Sequence, residues 1–137
     1  MKYKTIGSSV TYNRPKDVEE YLKNEKLFSR DKDNHKKGFL FETATYYGFN
    51  EIVKILLKDS RFDFLFTSPK SNMYTNIYIS YIRMHRDTVK IVLDDNRFDD
   101  SKLIGENFFT NFCNNHLKPK RRKANITAKI KSLYGEF

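Results

Sequence analysis

One cysteine and one histidine of this chain are spaced so that they could do chemistry together. Cys113 and His116 lie three residues apart, a spacing that puts both side chains on one face of a helix. A thiol beside an imidazole is the pairing of a cysteine nucleophile with its base. A zinc site would need two more ligands, and the other histidines are His35 and His85. The aromatic neighbours favour a third interpretation, a buried cysteine in a hydrophobic cluster. That cluster would consist of Phe108, Phe109 and Phe112.

The carboxylates and glycines form no recognisable catalytic pattern. The paired acids Asp94-Asp95 and Asp99-Asp100 follow a predicted helix, where carboxylates commonly cap or face solvent. The five glycines are scattered and form no phosphate-binding loop, and neither H-E-x-x-H nor G-x-S-x-G occurs. With a single cysteine, the chain has no disulfide framework within itself. The sequence therefore predicts a protein that is not an enzyme and that holds no cofactor and no metal.

A basic run near the end of the chain is its sharpest local feature. The formal net charge is +9, and residues 101–137 hold eight basic side chains against two acidic ones. A run of this kind is typical of a nuclear-import signal, and it could also neutralise phosphates of nucleic acid or acidic lipid. The remaining interpretation is a solvated turn that keeps the end of the chain soluble. The cations of the run are Lys118, Lys120, Arg121, Arg122 and Lys123.

Length and composition indicate one folded domain spanning residues 1–137. A chain of 137 residues with 39% hydrophobic residues and 21 Tyr and Phe can bury a core without disulfides or metals. The densest apolar stretch, Ile77–Ile82, is too short to cross a bilayer. The first nine residues contain no apolar core of a signal peptide. We therefore expect an intracellular, soluble protein that does not bind membranes, cytoplasmic or, through residues 118–123, nuclear.

Two segments of the chain match each other at a spacing of 36 residues. Residues 51–63 (EIVKILLKDSRFD) and 87–99 (DTVKIVLDDNRFD) share their apolar register and the ending Arg-Phe-Asp. A weaker copy covers residues 17–28, displaced by 34, and a fourth candidate covers 125–133. Self-similarity at such a period is the signature of a repeat protein.

Each copy has the pattern of the second helix in a helix pair. In the best copy, Phe39–Tyr47 forms the preceding helix, and Gly48 suits a left-handed residue that ends it. Asn50 then fits the N-cap of the second helix. One helix pair cannot bury its apolar face alone, whereas stacked pairs can, so the pattern predicts an all-α solenoid.

Residues 44–57, ATYYGFNEIVKILL, resemble the ankyrin repeat, whose core reads A-A-x-x-G-H-x-x-I-V-x-L-L-L. The second copy has Met84 where the family has glycine. The resemblance implies about four stacked antiparallel helix pairs with degenerate terminal repeats, at approximately 1–34, 35–70, 71–105 and 106–137. The residue bias is similar to that of divergent ankyrin arrays in large DNA viruses and AT-rich protists.

In the ankyrin family, the concave face formed by the first helices and the connecting fingers binds other proteins. The resemblance therefore implies a non-catalytic module that binds a partner protein, which would be a host factor if the source is viral. Phe64–Phe66 could be either core beneath a finger or an exposed anchor, and Tyr46 and Tyr47 either binding residues or padding between repeats. The alternative function is a nucleic-acid-binding accessory protein that uses residues 118–123. The positions implied for protein binding are Tyr46, Tyr47, Phe66, Lys70, Ile82 and Arg83.

Overall fold

The computed structural model describes residues 5–68, 71–99, 101 and 107–116, and within these residues all regular structure is helical. The prediction of an all-α fold is confirmed. The helices are α1 (Ile6–Thr11), α2 (Pro15–Lys23), α3 (Glu25–Arg30), α4 (Lys37–Tyr46), α5 (Asn50–Lys58), α6 (Phe64–Thr67), α7 (Met73–Ile82), α8 (Arg86–Leu93) and α9 (Asn107–His116), with a 3-10 turn at Ser60–Phe62.

The helices are arranged as contacting pairs in two rows. Helix α1 packs on α2, α4 on α5, and α7 on α8. Helices α1, α4 and α7, which we call the first helices, pack against one another in that order. The second helices α2, α5 and α8 do the same, and α9 packs on α8. Each pair therefore packs against its neighbours.

The turn inside each pair has the same backbone geometry three times. Asn13, Gly48 and Met84 follow the ends of the first helices with φ values of 55°, 70° and 71°. In the second turn, the Phe49 amide donates to the Ala44 carbonyl at 2.8 Å and the Gly48 amide to Thr45 at 3.3 Å. This is the Schellman closure of a helix, and it needs a residue in the left-handed region. The prediction for Gly48 is confirmed, and Met84 adopts that conformation despite its side chain.

Two details of the predicted register differ from the structure. The turns at Asn13 and Gly48 lie 35 residues apart, not 34 as predicted for the first copy. The prediction that Asn50 caps α5 was wrong, because Phe49 occupies that place and makes no side-chain capping bond. Asn50 is the first residue of the helix, and its amide oxygen accepts a hydrogen bond of 2.5 Å from the Thr88 hydroxyl of the next pair.

The repeated Arg-Phe-Asp ending joins neighbouring pairs. Phe62 and Phe98 are fully buried in the core. Arg61 binds Asp59 through two guanidinium hydrogen bonds of 2.8 and 2.7 Å, and Arg97 binds Asp95 at 2.9 and 2.7 Å. Each arginine also donates a hydrogen bond to a main-chain carbonyl of the preceding helix pair. The triplet therefore links neighbouring pairs.

Candidate functional site

The structure makes Cys113 unsuited to nucleophilic chemistry. The thiol is fully buried, and burial raises its pKa to about 12, so it stays protonated at neutral pH. The His116 ring packs on the Phe112 ring with centroids 4.4 Å apart. Within the described residues, no group of three His, Cys, Asp or Glu could hold a metal ion. Of the three interpretations of Cys113, the structure therefore favours the buried cysteine over the nucleophile and the zinc ligand.

Four of the six positions implied for protein binding are exposed at the ends of two first helices. Tyr46 and Tyr47 end α4, whereas Ile82 and Arg83 end α7. All four side chains are accessible, and about half of Tyr47 and Ile82 remains open, with exposures of 50% and 54%. The structure therefore brings these positions to the surface on neighbouring elements.

Arg83 and Tyr46 connect the two helix ends directly. The Arg83 guanidinium lies over the Tyr46 ring, 3.9 Å from its centroid. Its Nε donates to the Tyr46 carbonyl at 3.0 Å, and its Nη1 donates to the Tyr46 hydroxyl at 3.0 Å. Stacking on an aromatic ring together with two hydrogen bonds holds the guanidinium in one orientation.

Tyr47 extends this aromatic surface. Its ring meets Tyr46 edge to face at a centroid distance of 4.9 Å, and it stacks on Phe49 at 5.6 Å. Aromatic side chains that are already packed on one face lose little conformational entropy when a partner covers the other face. The contacts of Tyr46 and Tyr47 lie within the repeat array, and both rings still face outward.

Phe66 does not belong to this surface. The expectation that it binds a partner was wrong, because its side chain is only 5% exposed and lies under the guanidinium of Arg97, 4.3 Å from the ring centroid. The core interpretation of Phe64–Phe66 therefore holds for Leu65 and Phe66. Lys70 lies outside the described residues, as do Lys118, Lys120, Arg121, Arg122 and Lys123.

Sequence reasoning missed the most exposed aromatic residue of α4. Phe39 is 58% exposed and stands between three surface grooves, all of which it lines. One groove, of about 310 Å³, separates the ends of α1 and α4. An adjoining groove of about 360 Å³ continues past Tyr12, which is 62% exposed. In the run Phe39-Leu40-Phe41, helical spacing alone did not reveal that the first residue points outward.

We call the exposed surface of Tyr12, Phe39, Tyr46, Tyr47, Ile82 and Arg83 the first-helix face. Shared grooves join Tyr12, Phe39, Tyr46 and Tyr47. Arg83 contacts Tyr46, and Ile82 is the residue before Arg83. The first helices and α9 carry almost no charge, although Lys32, Asp33 and Lys36 between α3 and α4 line the groove beside Tyr12 and Phe39. In α1, α4, α7 and α9, the residues of type Asp, Glu, Lys or Arg are Lys37 and Glu42 alone, whereas α2 has five.

This distribution of charge differs from that of an ordinary solvated surface. Depletion of charge with enrichment of aromatic residues is characteristic of the centre of protein interfaces. The second helices α2, α5 and α8 show the opposite pattern, with acidic and basic side chains paired along the helix, as in Lys23 with Glu19 and Lys54 with Glu51. The two sides of the array are thus chemically distinct.

The chain has no match among family models, curated proteins or solved structures. In the described part of the chain, no helix is both long and apolar enough to cross a membrane. The first-helix face therefore has to be interpreted from its own chemistry.

Proposed function

We propose that this protein is a non-catalytic, ankyrin-like repeat module that binds a partner protein through its first-helix face. The ankyrin-like arrangement is supported by the paired helices and by the left-handed turns at Asn13, Gly48 and Met84, spaced by 35 and 36 residues. In such a stack the first helices form one continuous side, which suits binding of an extended surface.

The observation that carries the proposal is the cluster of exposed aromatic side chains on first helices that carry almost no charge. Tyrosine and arginine dominate binding hot spots because they bury large areas and keep a polar end. A scattered exposed aromatic residue needs no explanation, but a contiguous group that shares grooves is typical of an interaction site. If the source is viral, the partner is a host protein.

Site-specific photo-crosslinking tests the proposal. Tyr47 is replaced by p-benzoylphenylalanine, the protein is produced in its native host cell, and adducts are identified by mass spectrometry. The matched control carries the same probe at Lys54, which is exposed on the second helix α5. We expect one defined protein adduct from position 47 and none of the same identity from position 54.

The crosslink must also depend on the neighbouring side chains. Phe39→Ala and Arg83→Ala should each reduce the yield of the adduct, since Phe39 lines the same groove as residue 47 and Arg83 packs on the adjacent Tyr46. If positions 47 and 54 give the same adducts, or if neither substitution changes the yield, the first-helix face is not a binding site.

The basic run supports a second candidate function. Residues 118–123 contain five cations within six positions and could bind nucleic acid through its phosphates. Such binding would be independent of base sequence and strongly dependent on salt, which separates it experimentally from recognition by the first-helix face.

A further inference from the structure

We propose that the first-helix face recognises a short segment of its partner in which an apolar side chain lies next to a carboxylate. The apolar side chain occupies the groove between α1 and α4, and the carboxylate binds Arg83. This inference rests on the proposed function, and it adds the chemistry that the partner must have.

The groove is shaped for one apolar or aromatic side chain. It is lined by Thr11, Phe39, Glu42, Thr43, Tyr46 and Tyr47 and has a volume of about 310 Å³. Three of these six residues are aromatic, and none is a lysine or arginine. An aromatic side chain of the partner could meet Phe39 and Tyr47 in edge-to-face or offset geometry. Burial of such a side chain supplies the main favourable free energy of docking.

Arg83 supplies the charged part of the recognition. Its Nε and one N–H of Nη1 are committed to Tyr46, which leaves the Nη2 donors on an exposed side chain. A guanidinium that is already oriented loses little conformational entropy when it binds a carboxylate. The Tyr46 ring that it covers also lines the groove, so the two subsites are adjacent.

The other charges around the groove determine where the carboxylate must lie. Glu42 lines the groove one helical turn before Tyr46, and it would repel an acidic group placed there. Arg83 and Arg86 follow α7, and no acidic residue occurs among residues 71–86. Lys32 and Lys36 line only the adjoining groove, where Lys36 pairs with Asp33 at 3.8 Å. Arg83 packs on Tyr46, which lines the groove itself, so the proposal places the carboxylate at the α7 end and the uncharged part of the segment over α4.

A random 12-residue peptide library displayed on phage, selected on the immobilised full chain, tests this inference. We expect the enriched peptides to share an Asp or Glu within a few positions of an aromatic or branched aliphatic residue. A synthetic peptide with the enriched sequence should lose at least about tenfold in affinity with Arg83→Gln, since a charge-assisted hydrogen bond is removed. Glu42→Gln should raise the affinity, because it removes the repulsion between Glu42 and the acidic group of the peptide.

Further variants separate binding from folding. Changing the acidic residue of the peptide to its amide should weaken binding to the original chain but not to Arg83→Gln, as a double-mutant cycle requires. Thr43→Trp fills the groove without altering Arg83 and should abolish binding, whereas Lys54→Ala should have no effect. Circular dichroism at the binding temperature confirms that each variant is folded.

Enrichment of basic or purely apolar peptides, or of none, would overturn the inference, as would peptide binding that Arg83→Gln leaves unchanged. The proposed function fails separately, through loss of the site-specific crosslink at position 47. A crosslinked partner together with an empty peptide selection would mean that the face binds a folded surface of different chemistry.

Discussion

The guanidinium of Arg97 donates a hydrogen bond of 2.6 Å to the main-chain carbonyl oxygen of Leu57, near the end of the second helix in the preceding pair. Arg61 makes the same 2.6 Å bond to the carbonyl of Leu22, one pair earlier. The last carbonyls of a helix have no partner inside it, so each arginine satisfies one of them from the neighbouring repeat. Arg97 also pairs with Asp63 of the preceding copy. In both copies of Arg-Phe-Asp, the arginine thus links its helix pair to the preceding one.

We predict that Arg97→Ala lowers the free energy of unfolding by about 1–2 kcal/mol. The substitution removes charge-assisted hydrogen bonds. Their contribution to stability is in the lower part of the usual range, because the side chain is 33% exposed and solvent partly screens its charge. Urea unfolding followed by circular dichroism measures the change. Arg97→Lys should recover only part of it, because an ammonium cannot bind Asp95 bidentately and reach Leu57 at once.

Lys90→Ala is the matched control for this substitution. Lys90 pairs with Asp87 at 4.0 Å on the surface of α8, and such exposed pairs contribute little. If Arg97→Ala and Lys90→Ala lower the free energy of unfolding by the same amount, the contact between Arg97 and Leu57 does not stabilise the protein.

The pairing of Asp59 with Arg61 predicts a loss of stability in acid. Hydrogen bonding to the Arg61 side chain, aided by its charge, lowers the pKa of Asp59 below the ordinary value of 3.8. A lowered folded-state pKa means that the unfolded chain binds the proton more tightly. The stabilisation is therefore complete well above pH 4 and is lost as the pH falls through the lowered pKa.

Unfolding of the original chain and of Asp59→Asn, measured from pH 6 to pH 2.5, tests this sign. The variant should be less stable at pH 6, and the difference should shrink towards pH 2.5. A difference that stays constant or grows in acid would contradict the assigned ion pair.

We predict that Ser80→Ala stabilises the protein by about 1 kcal/mol. Ser80 is fully buried, and its hydroxyl has no hydrogen-bond partner. A buried unsatisfied hydroxyl carries the cost of its lost hydration. Ala44, at the equivalent position 36 residues earlier, is also fully buried and has no such group.

The equivalent Ser9 provides the control for Ser80. Its hydroxyl donates to the Thr5 carbonyl at 3.1 Å, so Ser9→Ala removes a hydrogen bond that exists and should not stabilise. Thermal unfolding of both variants separates the two cases. Equal shifts in melting temperature would show that the environment of Ser80 does not differ from that of Ser9.

We predict opposite effects of substitutions at two of the three left-handed turns, those at Gly48 and Met84. Met84→Gly should stabilise by up to about 1 kcal/mol, because a non-glycine residue is strained at φ 71° and the side chain is 68% exposed. Gly48→Ala should destabilise by more, for two reasons. Alanine would be strained at φ 70°, and its Cβ would lie only 2.6 Å from Nδ1 of His85. Chemical denaturation of the two variants measures both signs. If Gly48→Ala is neutral, the close approach of the two turns is absent.

Much of this fold could be predicted from the apolar periodicity and from the spacing of Arg-Phe-Asp. The confirmed elements are those with a local cause, such as the left-handed Gly48 after α4. The wrong prediction for Phe66 involves a long-range contact, whereas the predicted N-cap of α5 was displaced locally by one residue. Phe66 packs in the core and Arg97, 31 residues later, covers its ring, and no local pattern reports this.

The candidate site shows the same division. The exposed binding positions at the ends of α4 and α7 could be predicted because their places in the repeat imply exposure. They are Tyr46, Tyr47, Ile82 and Arg83. Phe39 was missed because three consecutive apolar residues do not reveal which one faces out, and the pairing of Arg83 with Tyr46 was missed because it joins two repeats.

The basic run predicts salt-dependent binding to nucleic acid if the second candidate function is correct. Four cations in contact with a single strand would give a slope of about −3 for the logarithm of affinity against the logarithm of salt concentration. The test uses a fluorescent single-stranded 20-mer, and replacement of Lys120, Arg121, Arg122 and Lys123 by Ala should abolish binding. A control variant with Ala at the exposed Lys16, Lys26, Lys32 and Lys58 has the same net charge and should keep most of the affinity. If the two variants lose affinity equally, the binding reflects overall charge, and the run is not a nucleic-acid site.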